Sequence, residues 1–421
     1  MLSDAPDLTR FRKWSFLFWI GVGLYYFRFI KNGLILYPVA ANCLLSGQPF
    51  IPCAPTFTYP PLFAFLMIPF APLPIGLRNL LWYILSISIL YCSFRLCESL
   101  ILKTFEVKFS PNQLYWFRLL SLAVGLKLIL AVLENQAYDY LVFFFILLGL
   151  YGLMEKKDFS AAFGIAMAAA LKVTPLLFFP YLLLRRKWKV FAWCVLIYLF
   201  VSFLPDLFFS AGETQTSYFG KWVQDIVRPA LSQQETASTP HFWAGENPLN
   251  QSLRSLVYRV VVAFNLTADF KKILYAVYAL FLFSLSLVLL KASRLKNPYI
   301  LDGSVLLIGM LMLSPMSSKS HFIVLILPYM TVLAYLLTQQ NQSRVLGALL
   351  ALSFILNSLT SKDLIGRTVA NFFLLIGCIT LGTLLLLILI SFIVVEMAWR
   401  HDPNRIVTLP PSSAARADRV L

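Results

Sequence analysis

The sequence predicts an all-α protein, a polytopic bundle of about 12 transmembrane helices whose first outer loop carries interfacial helices. Three observations lead there. Hydrophobic residues fill 59% of the 421 positions and charged residues only 13%, against about 25% charged in a soluble domain. Apolar stretches of about 17–25 residues, long enough for helical spans, recur almost to the C-terminus. These stretches lack the polar–apolar alternation that the strands of an outer-membrane barrel need.

Charge placement orients the bundle. The net charge is +16, and Lys and Arg cluster at the ends of apolar stretches, where they resist translocation and meet anionic lipid. No basic soluble domain is evident, so no nucleic-acid partner is expected. Arg10, Arg12 and Lys13 precede a first span over Trp14–Ile30 that no small-residue cleavage site follows, so it reads as an uncleaved helix leaving the cytosol.

The segment Asn32–Arg78 is then exoplasmic. Leu34–Leu45 reads as an amphipathic interfacial helix. Tyr59-Pro60-Pro61 makes a rigid elbow, because consecutive prolines fix φ and bar helix at the residue before them. Leu62–Phe70 is too short to span and ends among Pro69, Pro72 and Pro74, as a surface or re-entrant helix would.

Spans two to four follow over Asn79–Cys97, Leu114–Leu133 and Tyr140–Met154, with Lys103 and Lys108 in an inner loop. Two apolar legs come next, entered at Glu155-Lys156-Lys157 and left at Arg185-Arg186-Lys187-Trp188-Lys189. Both basic clusters belong on the cytosolic side. The turn between the legs, Leu171-Lys172-Val173-Thr174-Pro175, therefore faces away from the cytosol. Each leg has only about 10–14 residues, which suits a turn sunk below the surface in a wet cavity.

Span seven, Val190–Phe208, leads to the longest polar stretch, Ser210–Lys272. Span eight ends at Lys291, Arg294 and Lys296, span nine at Ser314-Pro315-Met316-Ser317, and span ten at the Gln339–Arg344 loop. Spans eleven and twelve finish with Arg400 and Arg405 inside. Residues 1–400 thus form one membrane domain with both termini cytosolic, and residues 401–421 are an expected disordered tail.

Candidate chemistry collects on the outer side. Lys172, within an apolar hairpin, costs about 2.5–3.5 kcal/mol on insertion scales and calls for a partner. That partner is a lipid phosphate, unless the ammonium simply snorkels to the interface. Asp139 and Glu134 sit at the outer ends of spans four and three, as general bases toward a hydroxyl or, for Asp139, as an acid favoured at a helix start. Lys127, two turns below Glu134, is expected to pair with it or another acid. His321 starts span ten, in a catalytic or a structural role. Asn250, Gln251, Ser252 and Arg259 either bind a hydroxyl-rich or anionic group or cap their loop. Cys92, Cys97, Cys194 and Cys378 read as packing residues, and Cys43 with Cys53 share one outer loop where a disulfide is chemically permitted. No motif calls for a metal or a cofactor.

The chain resembles glycosyltransferase family 87, membrane enzymes with the GT-C fold that use polyprenyl-phosphate sugars, several mannosyltransferases among them. The resemblance runs through Tyr37-Pro38-Val39-Ala40-Ala41 with Gly47 and through Phe57-Thr58-Tyr59-Pro60-Pro61-Leu62. It continues in Asn135-Gln136, where the family has Gly-Gln, and in the run from Ala161 to Lys172 and Pro175. Asn250-Gln251-Ser252-Leu253 with Arg259, and Ser314-Pro315-Met316-Ser317 ending at His321, complete it over residues 30–330.

The resemblance implies an inverting hexosyl transfer to a glycan or glycolipid hydroxyl at the outer face of a bacterial plasma membrane. His321 matches the family's histidine, and with Asp139 and Glu134, read from their own positions, it makes up the candidate catalytic set. Lys172 matches the position expected to meet the lipid phosphate, and Gln136, Tyr59, Asn250, Gln251, Arg259 and Lys319 are the further candidate substrate ligands. Two departures stand out. No acid precedes Tyr37, where the family carries its presumed base, and Ser318 replaces the family's tryptophan. Asp139 or Glu134 must then supply the base, or activity is lost. A transporter or flippase of a lipid-linked substrate, and a non-catalytic binder of lipid-linked sugar, are the competing functions.

Reporter fusions after Lys157 and Arg186 should read as cytosolic, and one after Lys172 as exoplasmic. A cytosolic signal at Lys172 would overturn the hairpin.

Overall fold

The computed structural model describes residues 8–27, 32–212, 216–232, 244–338 and 344–400. The expected tail, residues 339–343 of the expected inner loop and His241-Phe242-Trp243 lie outside the described residues. The chain begins with α1 (Leu8–Phe27), α2 (Asn32–Leu45), α3 (Phe50–Cys53) and α4 (Pro61–Leu66). The bundle continues with α5 (Ile75–Thr104), α6 (Pro111–Asn135), α7 (Asp139–Met154), α8 (Asp158–Leu171), α9 (Phe178–Leu184) and α10 (Trp188–Phe203). Short helices α11 (Tyr218–Trp222) and α12 (Arg228–Ser232), then α13 (Leu253–Ala263), build the long polar stretch. The chain closes with α14 (Phe270–Ala292), α15 (Tyr299–Leu313), α16 (Ile326–Thr338), α17 (Arg344–Ser358), α18 (Lys362–Ile365), α19 (Arg367–Leu375) and α20 (Cys378–Arg400). Among the described residues no β-strand forms; Ala211 and Thr216 make an isolated antiparallel bridge.

Five helical segments among the described residues are long and apolar enough to cross a membrane: Ile75–Thr104, Pro111–Asn135, Thr267–Ala292, Lys319–Thr338 and Cys378–Arg400. The other apolar helices have 10–17 residues, so length and composition support five of the predicted 12 crossings. Among the shorter ones, α7 and α8 lie closest together. A Cβ on Gly152 would stand 2.3 Å from the Ala161 nitrogen, and one on Gly164 would stand 2.4 Å from the Gly149 nitrogen. Small residues let the two backbones approach, which is how apolar helices gain contact where no hydrophobic force separates them from lipid.

Ionic contacts sort the bundle into two ends. At one, Lys103 pairs with Glu155, Lys296 with Glu106 at 2.8 Å, and Arg400 with Glu396. There, too, Arg185 grips the fully buried Asp302 through Nε at 2.9 Å and Nη2 at 2.6 Å, while the Tyr181 hydroxyl donates to the same carboxylate at 2.8 Å. A planar guanidinium matches a carboxylate in two places at once, which is the geometry a buried pair needs. The basic clusters that bound the two legs therefore gather at one end, as their sequence positions predict.

At the far end the segments before α5 and after α10 are tied down. Arg78 donates to the carbonyls of Leu34, Phe70, Ala71 and Leu73 at 2.9–3.3 Å, joining α2 to the start of α5. Cys43 and Cys53 form a disulfide. Asp206, at the end of α10, accepts from the Ser217 hydroxyl at 2.7 Å and the Tyr218 N–H at 2.5 Å.

Three expectations need correction. α2 is apolar on both sides rather than amphipathic: Leu34, Tyr37, Ala41 and Leu44 pack inward, and Ile35, Val39 and Leu45 are exposed. Lys127 finds no carboxylate among the described residues; its ammonium donates to the Asn357 carbonyl and to Thr360 Oγ1, at the end of α17. Cys92 is exposed, whereas Cys97, Cys194 and Cys378 are buried as packing residues. Between α17 and α20 the chain also forms the short helices α18 and α19, the latter burying Ala370 and Leu374.

Gly164→Val should drive the α7–α8 hairpin apart and destabilise the protein by about 1–3 kcal/mol or more. Gly76→Ala, which would meet nothing within 4 Å, should leave stability unchanged. Thermal unfolding followed by size-exclusion chromatography separates the two.

Candidate active site

Asp139 opens α7 and Lys172 follows the last turn of α8. Because the helices run antiparallel and nearly touch, these two ends meet. The Tyr138 hydroxyl donates to the Leu171 carbonyl at 2.9 Å, and Lys172 Nζ donates to Asp139 Oδ1 at 2.6 Å. The juxtaposition expected from the hairpin is present.

The turn that starts α7 is itself held. Gln136 ends α6 in a left-handed conformation at φ 50°, and its amide donates to Asn79 Oδ1 at 2.9 Å. Lys172 leaves the helix with extended backbone (φ −152°, ψ 133°) just before Thr174-Pro175. A proline there stops the helix and bars its N-terminal neighbour from continuing it.

A small cleft opens on this pair, with Asp139, Lys172, Thr174, Ser314, Ser317 and His321 as its polar wall and Val142, Leu311 and Val324 among its apolar lining. His321 accepts a hydrogen bond at Nδ1 from the Ser318 N–H, at 3.3 Å. An accepting Nδ1 places the proton of a neutral imidazole on Nε2. The cavity thus holds an acid, an ammonium and an imidazole on one wall.

The loop that presents His321 is braced from α13. Asn250 Oδ1 accepts from the Ser317 N–H at 3.2 Å, its amide donates to the Pro315 carbonyl at 2.9 Å, and the Gln251 N–H donates to the Ser317 carbonyl at 2.8 Å. Gln251 also reaches the Leu374 carbonyl at 2.8 Å, and Arg259 donates to the Asn250 carbonyl at 2.8 Å. These three residues cap and position; none lines the cavity. Lys319 donates to the Thr360 carbonyl at 2.5 Å, also off the cavity. Glu134 is exposed on the last turn of α6 and takes no part in the wall.

Tyr59 stands behind the acid, in a cluster of rings. Its centroid lies 4.9 Å from Tyr138 and 5.8 Å from Tyr37. Burial and the neighbouring Asp139 carboxylate push the Tyr59 phenol up to about 12, so it stays protonated and can only donate or accept a hydrogen bond. Thr174, Ser314 and Ser317 are the wall residues that the sequence reading passed over. All three lie inside motifs it had singled out around Lys172 and His321.

A family model described as glycosyltransferase family 87 matches residues 57–315. No curated protein and no solved structure matches the chain. The family match covers more than half of the 421 residues and takes in Tyr59, Asp139, Lys172 and Asn250. Sharing that model over apolar helices of membrane-crossing length, the chain belongs to glycosyltransferase family 87 and is a membrane glycosyltransferase.

Proposed function

We propose that the protein moves a hexose, mannose-like in class, from a polyprenyl phosphate to a hydroxyl on a glycan or glycolipid. The transfer takes place on the outer face of a bacterial plasma membrane, with both termini in the cytosol, twelve spans and a GT-C-like arrangement. The observation that supports this most is the meeting of Asp139, Lys172 and His321 on one cavity at the end of the bundle opposite the basic clusters.

Each group has a task that suits its chemistry. Lys172 offers three N–H donors and meets the donor phosphate. Its ammonium is then shared with, or withdrawn from, Asp139, whose carboxylate becomes free to accept the acceptor hydroxyl's proton. The acceptor oxygen forms a bond to the anomeric carbon from the face opposite the phosphate. The anomeric carbon–oxygen bond to phosphate breaks, its electron pair leaves with the lipid phosphate, and the configuration inverts. Lys172 and the His321 Nε2–H stabilise the charge that grows on the departing phosphate, the step at which preorganised donors contribute most. Tyr59 stays neutral and orients the acceptor side of Asp139. Asn250, Gln251, Arg259, Gln136 and Lys319 act through the loops they hold.

One observation favours a second reading, a binder of lipid-linked sugar without catalysis. α2 carries no acid, so the site has Asp139 alone on its wall, and that carboxylate is ion-paired.

Membranes supplied with a radiolabelled polyprenyl-phosphate hexose and candidate acceptors test both. Asp139→Asn should cut transfer by about 10²-fold or more, the usual worth of a general base, while Glu134→Gln should leave it within about twofold. Lys172→Met should raise the KM for the donor and lower kcat/KM. Transfer that survives Asp139→Asn refutes this base, and an absence of transfer from every donor favours the second reading.

A further inference from the structure

Three hydroxyl-bearing residues line the cleft beside Asp139, Lys172 and His321: Thr174, Ser314 and Ser317. Two of them are committed to the chain's own turn. Ser314 Oγ donates to the Met316 carbonyl at 2.7 Å and accepts from the Met316 N–H at 3.3 Å. The Ser317 hydroxyl donates to the Leu311 carbonyl at 2.7 Å. Both bonds shape the loop that leads from α15 to His321.

Thr174 differs from both. Among the described residues its hydroxyl has no hydrogen-bond partner, and its oxygen is not sealed in the core. Removing that hydroxyl would break no bond within the described chain. The mechanism proposed above gives it no task either.

The backbone holds Thr174 in place beside the ammonium. Lys172 is extended and Val173 turns helical at φ −61°, ψ −33°. As a result Lys172 and Thr174 both line the cleft, while Val173 between them is exposed and Pro175 is buried. The Leu176 N–H donates to the Val173 carbonyl at 2.9 Å and closes the turn. The Pro175 ring fixes its own φ, and branching at Cβ leaves Thr174 few side-chain rotamers.

We propose that Thr174 is a second ligand of the donor's phosphate, its hydroxyl donating to one non-bridging oxygen while Lys172 holds the other. The non-bridging oxygens of a phosphodiester only accept hydrogen bonds, so the groups that meet them must donate. The Lys172 ammonium already gives one of its three N–H groups to Asp139, at 2.6 Å. Thr174 supplies a donor on the same wall that Asp139 does not hold. As the anomeric carbon–oxygen bond breaks and charge grows on the phosphate, a hydrogen bond to it strengthens, so Thr174 contributes to the transition state as well as to binding. The assignment rests on the lipid-phosphate reading of Lys172, but the binding itself can be measured without turnover.

The full chain in lipid nanodiscs, titrated with a short-chain polyprenyl phosphate and no sugar, should bind it. Thr174→Val should weaken that binding about tenfold, the worth of one hydrogen bond to a charged group, and Thr174→Ser should recover most of it. The matching polyprenol, which has no phosphate, should not distinguish the variants. In transfer assays Thr174→Val should raise the donor KM and lower kcat/KM with every donor sugar, and leave the acceptor KM alone. Thr174→Val and Thr174→Ala should both elute as monodisperse protein with the wild-type unfolding temperature. Equal binding of polyprenyl phosphate by wild type and Thr174→Val would overturn the role of Thr174 and leave the donor class standing. So would a defect that vanishes when the donor sugar lacks one hydroxyl, which would make Thr174 a sugar ligand. A fall in unfolding temperature in both variants would assign the hydroxyl to the fold instead. Wild-type protein that binds no polyprenyl phosphate would remove the donor class and the Thr174 assignment together.

Discussion

The close contact of α7 and α8 governs the rest of the molecule. Gly149, Gly152 and Gly164 bring two backbones to within van der Waals distance of each other, so the hairpin has almost no freedom to slide. Packed interiors resist even one added methylene, and here the added atom would meet backbone. Register along the hairpin decides which residue ends up opposite which, and it sets Asp139 against Lys172. The ion pair is the result of this packing rather than its cause. Buried pairs give back little more than their desolvation, so the hairpin would hold without it, while the pair could not form without the hairpin.

A second constraint works at the opposite end. Arg185 leaves the second leg and is clamped by Asp302 and the Leu289 carbonyl, from α15 and α14. The leg that begins at Lys172 is thereby fixed at both ends. α15 in turn ends at Ser314, and the loop beyond it, braced by Asn250 and Gln251, sets His321. Two rigid routes, one through each leg of the fold, converge on one small cavity. Sites built on locked elements hold their geometry better than sites on free loops.

The helices and the ends they share were largely legible in the chain, because apolar length and basic clustering are properties of single segments. Lys172 and Asp139 were legible for the same reason: each is a charge where its own segment should have none. Partners far apart in sequence were not. Asp302 lies 117 residues from Arg185, and nothing near either residue announces the other. Lys127 shows the opposite error. An acid one helical face away in sequence invited a pairing, yet the carbonyl end of a neighbouring helix lay nearer. Asn250, Gln251 and Arg259 were visible as a polar group, but whether amides face a ligand or a backbone depends on which loop packs beside them. Whether Glu134 shared the site depended on the side of α6 it occupies once Gln136 reverses the chain, and that reversal has no sequence signature beyond an ordinary amide.

The first leg has 14 residues, so at 1.5 Å per residue Lys172 stands about 21 Å from the basic end. A hydrocarbon core is about 30 Å thick. On the proposed reading, with the basic end at the cytosolic surface, an ammonium at that depth would lie beneath the plane where lipid headgroups float, and a charged carrier would have to sink into the protein to reach it. Bilayer thickness then becomes a control on chemistry. In a thin membrane the cavity sits closer to the water and the carrier's head has less apolar distance to travel, whereas a thick one buries the entrance. On that same reading, lipid composition would tune turnover without touching a single side chain.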